Sequence, residues 1–245
     1  MKALLLAAAL LLGTGAQAAD IVVLSSTGLT STLTDLQQTF EAKTGDKLVL
    51  SFATTGQLKK RIEGGEAFDL CILTAPVIDD LTKSGKLIGA RVDLARSGIG
   101  VAIKKGAPKP DLSTAEAFKQ TILKAKSVAY TSEGASGTYF VGLTERLGIA
   151  DAVKAKAHTT PGGAAAELVA KGEAEVAIQQ ISELLGIAGT ELAGPLPPEL
   201  QTITTFSAGV GAQAQNAKGA QALAAFLTTP DAIAMIRVKG MEPGR

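Results

Sequence analysis

Hydroxyl side chains and glycines gather in three short segments, Ser25-Ser26-Thr27-Gly28, Thr54-Thr55-Gly56 and Ser132-Glu133-Gly134-Ala135-Ser136-Gly137-Thr138-Tyr139. Each follows a strand-like run and opens a stretch with helical spacing. At such a junction the free N–H groups of the first helical turn and the positive end of the helix dipole point outward. An anion can be held there without Lys or Arg. A lone Ser or Thr in this position is an ordinary helix cap. Three such loops in one chain point to a site for a small anion or a carboxylate.

Other chemistries find little support. There is no G-x-x-x-x-G-K-[ST] segment, and no strand-linked G-x-G-x-x-G with a fitting acidic residue. His158 is the only histidine available to a Ser-His-Asp triad, and no serine sits in a G-x-S-x-G elbow. One Cys and one His cannot build a Cys/His zinc site, and one Cys cannot form an internal disulfide. Cys71 lies inside the strand-like run Asp69 to Leu73 and reads as a buried, inert thiol. No metal and no cofactor is expected.

The elements that must position the three loops alternate regularly. Ile21 to Leu24 reads as a strand, and Leu29, Leu33, Leu36 and Phe40 recur at helical spacing up to Gly45. Lys47 to Phe52 and Asp69 to Leu73 are the next strands. Leu58 with Ile62, and Val77 to Leu81, mark the helices after them. Ile99 to Ile103, Val128 to Tyr130, Ala157 to Thr159 and Glu175 to Ile178 read as further strands. This alternation predicts parallel α/β sheets in two halves, about 20–95 and 105–200. A last strand, Ile203 to Ala208, and the helices Ala217 to Leu227 and beyond Thr229-Pro230-Asp231 are too few for a third domain. They return to complete the first half.

The chain has 245 residues, 46% hydrophobic and 19% charged, enough for a real core and too apolar for disorder. Met1-Lys2, the apolar run Ala3 to Leu12 and Ala16-Gln17-Ala18 form a secretory leader with an A-x-A cleavage site. The run is about half of the roughly 20 residues a membrane span requires. Cleavage after Ala18 removes Lys2 and leaves 23 basic residues against 23 acidic ones. That balance gives no footprint for nucleic acid or anionic membrane. The mature protein is expected to be soluble and exported to the periplasm, with no membrane anchor.

The segment from Ser51 to Leu70, SFATTGQLKKRIEGGEAFDL, resembles the FASSS…L…QIE.G…DLF segment of the periplasmic molybdate-binding (ModA-like) family of ABC-transporter receptors. Gly134 to Gly142, Val176 to Ser182 and Phe226 to Gly240 are similar to that family as well, so the resemblance covers nearly all of the mature chain. It implies a two-lobed α/β fold of the type II periplasmic-binding-protein class. That fold has parallel-rich sheets, helices on both faces and a hinge of two crossing strands. The lobes would be 19–98 with 206–245, and 99–205, behind a leader of 1–18.

The resemblance also places the ligand. The family's first serine falls on Gly28, after Ser26 and Thr27, and its second on Thr55 or Gly56, after Thr54. Its backbone donor falls on Ser136, before Gly137 and Thr138, and its small apolar contact on Ala164. Its tyrosine falls on Gln180, beside Gln179. Losing two hydroxyls to Gly28 and Gln180 leaves a wider pocket of amides and hydroxyls, which suits an organic di- or tricarboxylate better than molybdate.

Two functions fit. The first is a receptor, acting as a monomer, that captures a small anion for an ABC permease. The alternative is a periplasmic aconitate isomerase, an enzyme that also resembles this family. It would move an allylic proton between trans- and cis-aconitate with one base, for which His158, Glu133, Tyr139 and Lys59 are the candidates.

Overall fold

The computed structural model describes residues 20–163 and 165–244. The expected leader 1–18 and Ala164 lie outside the described residues. The chain runs β1 (Asp20–Ser26), α1 (Thr30–Thr44), β2 (Lys47–Ala53), α2 (Thr55–Glu63), β3 (Leu70–Thr74) and α3 (Ala75–Lys83) before the long β4 (Leu87–Lys104). It continues through α4 (Ala115–Lys124), β5 (Val128–Thr131), α5 (Ala135–Arg146), α6 (Ala150–Lys154), β6 (Ala157–Thr160) and α7 (Ala165–Lys171). Then come β7 (Val176–Gln180), α8 (Ile181–Leu184), β8 (Thr190–Pro195), β9 (Ile203–Gly211), α9 (Ala217–Phe226), α10 (Pro230–Val238) and β10 (Glu242–Pro243).

Strand alternation sorts side chains into two cores on either face of each sheet. In the first lobe, Ile21, Val23, Leu70 and Ile72 face α1, α9 and α10 with Leu33, Phe40, Leu223 and Ile236. Leu24, Cys71 and Leu73 turn the other way, onto Leu58, Ile62, Ile78 and Leu81 of α2 and α3. Cys71 is fully buried, and desolvation pushes its thiol up to about 12. In the second lobe Val101, Val128 and Ile178 pack under Phe118, Ile122, Phe140 and Leu143. Ala102, Ala129 and Ala177 face Ala165, Ala166 and Val169 of α7. Small residues on that face let α7 sit close to the sheet.

β4 and β9 carry the chain between the lobes. From Leu87 to Gly98, β4 pairs with β9, and Leu94 and Ala95 belong to the first-lobe core. From Ile99 onward β4 pairs with β7 and β8, and its side chains enter the second-lobe core. At the changeover Ile99 N donates to Gln201 Oε1 at 2.8 Å and Gln201 Nε2 donates to Ile99 O at 2.9 Å. Gln201 thus ties one crossing to the other.

The outer strands of both lobes are parallel, as expected, but β9 runs antiparallel to β3 and β4, and β4 antiparallel to β7 and β8. The expected strand Ile99 to Ile103 is only the far part of an 18-residue one. Register shifts between Ile88 and Val92 and between Asp93 and Ala95 break the alternation of its first half. Arg91, bonded to Asp79 and Asp93, puts charge in the middle of it. β8, with Gly194 and Pro195, carries no strand signal in its sequence and pairs along only one edge, with β4.

The start of α5 crosses the end of β5 so closely that a methyl group on Gly137 would overlap the Thr131 carbonyl. Gly142, farther along α5, has only the Arg146 guanidinium within 4 Å, at 3.9 Å. Gly137→Ala is therefore expected to destabilise the protein by ~2 kcal/mol or more. Gly142→Ala should stabilise it by up to ~1 kcal/mol. Urea unfolding of both variants checks the contrast.

Candidate functional site

Both lobes contribute to one small cavity. Ser26, Thr27, Gly28, Thr54, Thr55 and Phe206 line it from the first lobe, and Gly134, Ala135, Gln180 and Glu183 from the second. Its volume is about 20 Å³, room for roughly one water molecule. The lobes meet closely around it. A Cβ on Gly162 would lie 2.9 Å from Thr54 Cγ2, one on Gly163 would lie 3.5 Å from Thr27 Cγ2, and one on Gly56 would lie 3.6 Å from the Glu133 carbonyl oxygen.

Local chemistry fixes the first-lobe wall. Ser26 ends β1, and a single turn of 3-10 helix, Thr27–Leu29, separates it from α1. Leu29, 1% exposed, anchors that turn in the core. Thr54 caps α2 reciprocally: its hydroxyl accepts from Gln57 N at 3.3 Å, and its own N–H donates to Gln57 Oε1 at 3.2 Å. Thr55 Oγ1 donates to Ser26 Oγ at 3.4 Å, linking two of the loops. Gly28 has a steric reason to lack a side chain, because the Phe206 ring lies 2.5 Å from where a Cβ would stand.

The second-lobe wall differs from a ring of ligand donors. Gln180 lines the cavity, yet its amide reaches back to the crossing strands. Oriented with its nitrogen toward β4, it donates to Ser97 O at 3.2 Å and Gly98 O at 3.3 Å, while its oxygen accepts from the Thr204 hydroxyl at 2.8 Å. Glu183, one turn beyond β7, is the only acidic side chain in the cavity wall among the described residues. Burial pushes its carboxyl above the ordinary glutamate value. The Thr27 hydroxyl, the Gln179 side chain and the Gln180 N–H act against that shift without cancelling it. The Gln179 amide is nonetheless too far or too skewed for an ordinary hydrogen bond. Glu183 and Thr27 also line an outer groove of about 420 Å³ that adjoins the cavity.

The structure thus brings Ser26, Thr27, Gly28, Thr54, Thr55 and Gln180 together. Gly56 lies at the contact between the lobes. Ser136 and Gly137 are buried inside the first turn of α5, and Thr138 is exposed beside them. Gln179 is fully buried behind the cavity wall.

The expected bases are placed elsewhere. His158 is exposed on β6, abreast of Ala129 and outside the cavity wall. The Tyr139 hydroxyl donates to Leu200 O at 2.8 Å and accepts from Arg146 at 3.1 Å, so it serves the second-lobe fold. The Glu133 side chain is exposed at the mouth, and Lys59 pairs with Asp80 on the outer face of α2 and α3. Glu183 was missed because it sits one residue past the segment that resembles the family. A signal was present, since residues 172–217 contain five glutamates and no Lys or Arg. A carboxyl carried into the interior from that stretch has no cation of its own to meet.

The described residues contain no group of three or more His, Cys, Asp or Glu able to hold a metal ion. No single helix among them is long and apolar enough to cross a membrane.

The family model described as bacterial extracellular solute-binding protein matches residues 21–242. An aconitate isomerase from a Pseudomonas species is 36% identical over 230 residues, covering 91% of this chain and 87% of that protein. The molybdate-binding protein ModA of Azotobacter vinelandii is 28% identical over 244 residues, covering 94% and 92%. The solved structure of an Azotobacter vinelandii periplasmic molybdate-binding protein superposes with a TM-score of 0.76 at 18% identity, covering 90% and 98%.

Folding raises the pKa of Glu183, so the stability carried by its protonated form is complete below the unfolded value near 4.5 and is lost as pH rises through the raised value. Glu183→Gln keeps the shape and never ionises. Its stability relative to the unsubstituted protein should climb as pH rises above 4.5. Urea titrations of the two proteins from pH 4 to 8 measure the difference. A constant difference would mean that folding does not shift the carboxyl.

Proposed function

The chain belongs to the bacterial extracellular solute-binding protein family, and from that premise we propose that its interlobe cleft is an active site. The reaction is the isomerisation of an unsaturated tricarboxylate of the aconitate type by transfer of one allylic proton. One observation carries this reading: Glu183, a half-buried carboxyl, stands in a cleft whose other polar walls, among the described residues, are neutral. A simple anion receptor gains nothing from that group. Ionised, it repels the ligand; protonated, it adds one donor where a hydroxyl would serve.

As an acid–base group it has a use. Glu183 takes a proton from the CH2 carbon of the substrate, and the C–H electron pair becomes the new C=C bond. The former double bond shifts its pair to the far carbon, which receives the proton back. One C–H bond breaks and one forms, with no redox change and no cofactor. A carboxyl whose pKa is raised by burial takes up a proton more readily than an ordinary carboxylate does. Negative charge builds up on the carboxylate beside the lost proton. The Ser26, Thr27 and Thr55 hydroxyls and the N–H groups at the start of α5, which line the cavity, would stabilise it. The 36% identical relative named aconitate isomerase supports the same reaction.

A cavity of about 20 Å³ cannot hold a six-carbon tricarboxylate, so the lobes part at the β4 and β9 crossings to admit it. The family's extracellular character puts the protein beyond the cytoplasmic membrane. A periplasmic location, and export by a leader cut after Ala18, complete the proposal. A second reading, a receptor that passes its anion to an ABC permease, draws on the family and on the molybdate-binding relative.

Incubation of the purified protein with trans-aconitate, followed by proton NMR, is expected to yield the cis isomer. Glu183→Gln should slow the reaction by about 10²- to 10⁴-fold while still binding the saturated propane-1,2,3-tricarboxylate. Binding without turnover at high protein concentration would leave the receptor reading. Turnover by Glu183→Gln close to the unsubstituted rate would put the base elsewhere. In a thermal-shift comparison the tricarboxylate should stabilise the fold more than molybdate does, and the reverse order would contradict an organic-acid site.

A further inference from the structure

Three side chains behind the cavity have buried polar atoms with no hydrogen-bond partner among the described residues: Thr131 and Thr160 through their hydroxyls, and Gln179 through both atoms of its amide. Gln179 is 0% exposed and Thr131 2%. Their placement is ordered. β5 lies between β6 and β7, all parallel; Thr131 pairs with Thr160, and Tyr130 pairs with Ile178, which brings Gln179 abreast of Thr131. Neighbours in register on a parallel sheet send their side chains to one face, about 4.8 Å apart. The three therefore form a row at the carboxyl edge of the strands, where ligands of open α/β sheets collect. Two residues earlier the same face carries Ala129 and Ala177 in the core beneath α7. The polar row begins where that apolar floor ends. At one end of it the Gln179 side chain turns toward Glu183, which lines the cavity.

Folded proteins seldom leave such groups unmet, because a buried donor or acceptor without a partner costs stability. The reaction proposed above indicates what meets them. In propene-1,2,3-tricarboxylate every carbon of the allylic unit bears a carboxylate, so a base that reaches one of these carbons is flanked by carboxylates. The first lobe offers the Ser26, Thr27 and Thr55 hydroxyls to one of them. We propose that Thr131, Thr160 and Gln179 form a second-lobe subsite for another carboxylate of the same ligand. Two hydroxyls and an amide nitrogen make charge-assisted hydrogen bonds to it without a cation. A ligand bonded to both rows spans the cleft and draws the lobes together. The subsite rests on the isomerase reading for where the substrate lies, but binding alone tests it.

Thr131→Val and Gln179→Leu remove the donors with little change of shape. Isothermal titration with propane-1,2,3-tricarboxylate, which cannot isomerise, reads affinity without turnover, and thermal unfolding without ligand reads the fold. The expected result for both variants is affinity at least tenfold weaker, with a Tm equal to or above that of the unsubstituted protein. Affinity within threefold of the unsubstituted protein overturns the subsite. A lowered Tm alongside the weaker affinity also overturns it, because the groups would then be serving the fold. An unsubstituted protein that does not bind the tricarboxylate overturns it as well. Tricarboxylate binding without turnover of trans-aconitate instead overturns the isomerase reading and leaves the subsite standing.

Discussion

The site is governed by a constraint on charge: a half-buried carboxyl stands between two lobes where, among the described residues, no basic side chain lines the wall. From Gly172 to Ala217 the chain supplies no Lys or Arg, and the cavity is finished by hydroxyls, glycines and a phenylalanine ring. Glu183 is held toward its neutral form because burial outweighs the dipoles turned toward it. Any anion admitted must also be satisfied by neutral donors. A wall of that kind binds negative charge only if helix starts and hydroxyls are held rigidly, which gives the rest of the fold its task.

The fold performs that task by crowding. The glycines around the cleft are set mainly by what they touch, not by a need for unusual dihedral angles. Gly28 yields to the Phe206 ring, Gly137 to the Thr131 carbonyl, and Gly162 to the Thr54 methyl. Each close approach brings a loop end to the ligand side of its sheet. The hinge is built with equal economy. Gln201 ties Ile99 on one crossing strand to the other crossing, and Gln180 bonds to both β4 and Thr204 of β9 while its flank faces the cavity. Gln180 therefore touches both the cavity and the crossing strands.

Much of this was legible in the sequence, for physical reasons that also mark where legibility ended. Buried parallel strands such as Ile21 to Leu24 and Asp69 to Leu73 announce themselves as mostly apolar runs, and a loop of hydroxyls after such a run marks a strand-to-helix turn. The first half of β4 was hidden because its bulges and the Arg91–Asp79–Asp93 cluster erase the period of two. His158 and Tyr139 drew notice as chemically capable residues. Sequence cannot tell that one faces solvent and the other gives its hydroxyl to Leu200. Glu183 was hidden for the opposite reason. It lies on a helix of only four residues, Ile181–Leu184, with no pattern of its own, and residues distant in the sequence make up most of the wall around it. Gln180 could be placed near the ligand by resemblance, but its bonds to the hinge depend on a strand that the sequence had not disclosed.

The reaction proposed above requires Glu183 to be a partly buried carboxyl at the ligand site, available to take and return a proton. Carbon-13 NMR of protein labelled at its glutamate carboxyls measures this directly, with the signal assigned by its loss in Glu183→Gln. One resonance is expected to titrate above the ordinary value of 4.5 and to move when propane-1,2,3-tricarboxylate is added. A Glu183 signal that titrates near 4.5 and ignores the tricarboxylate would contradict it.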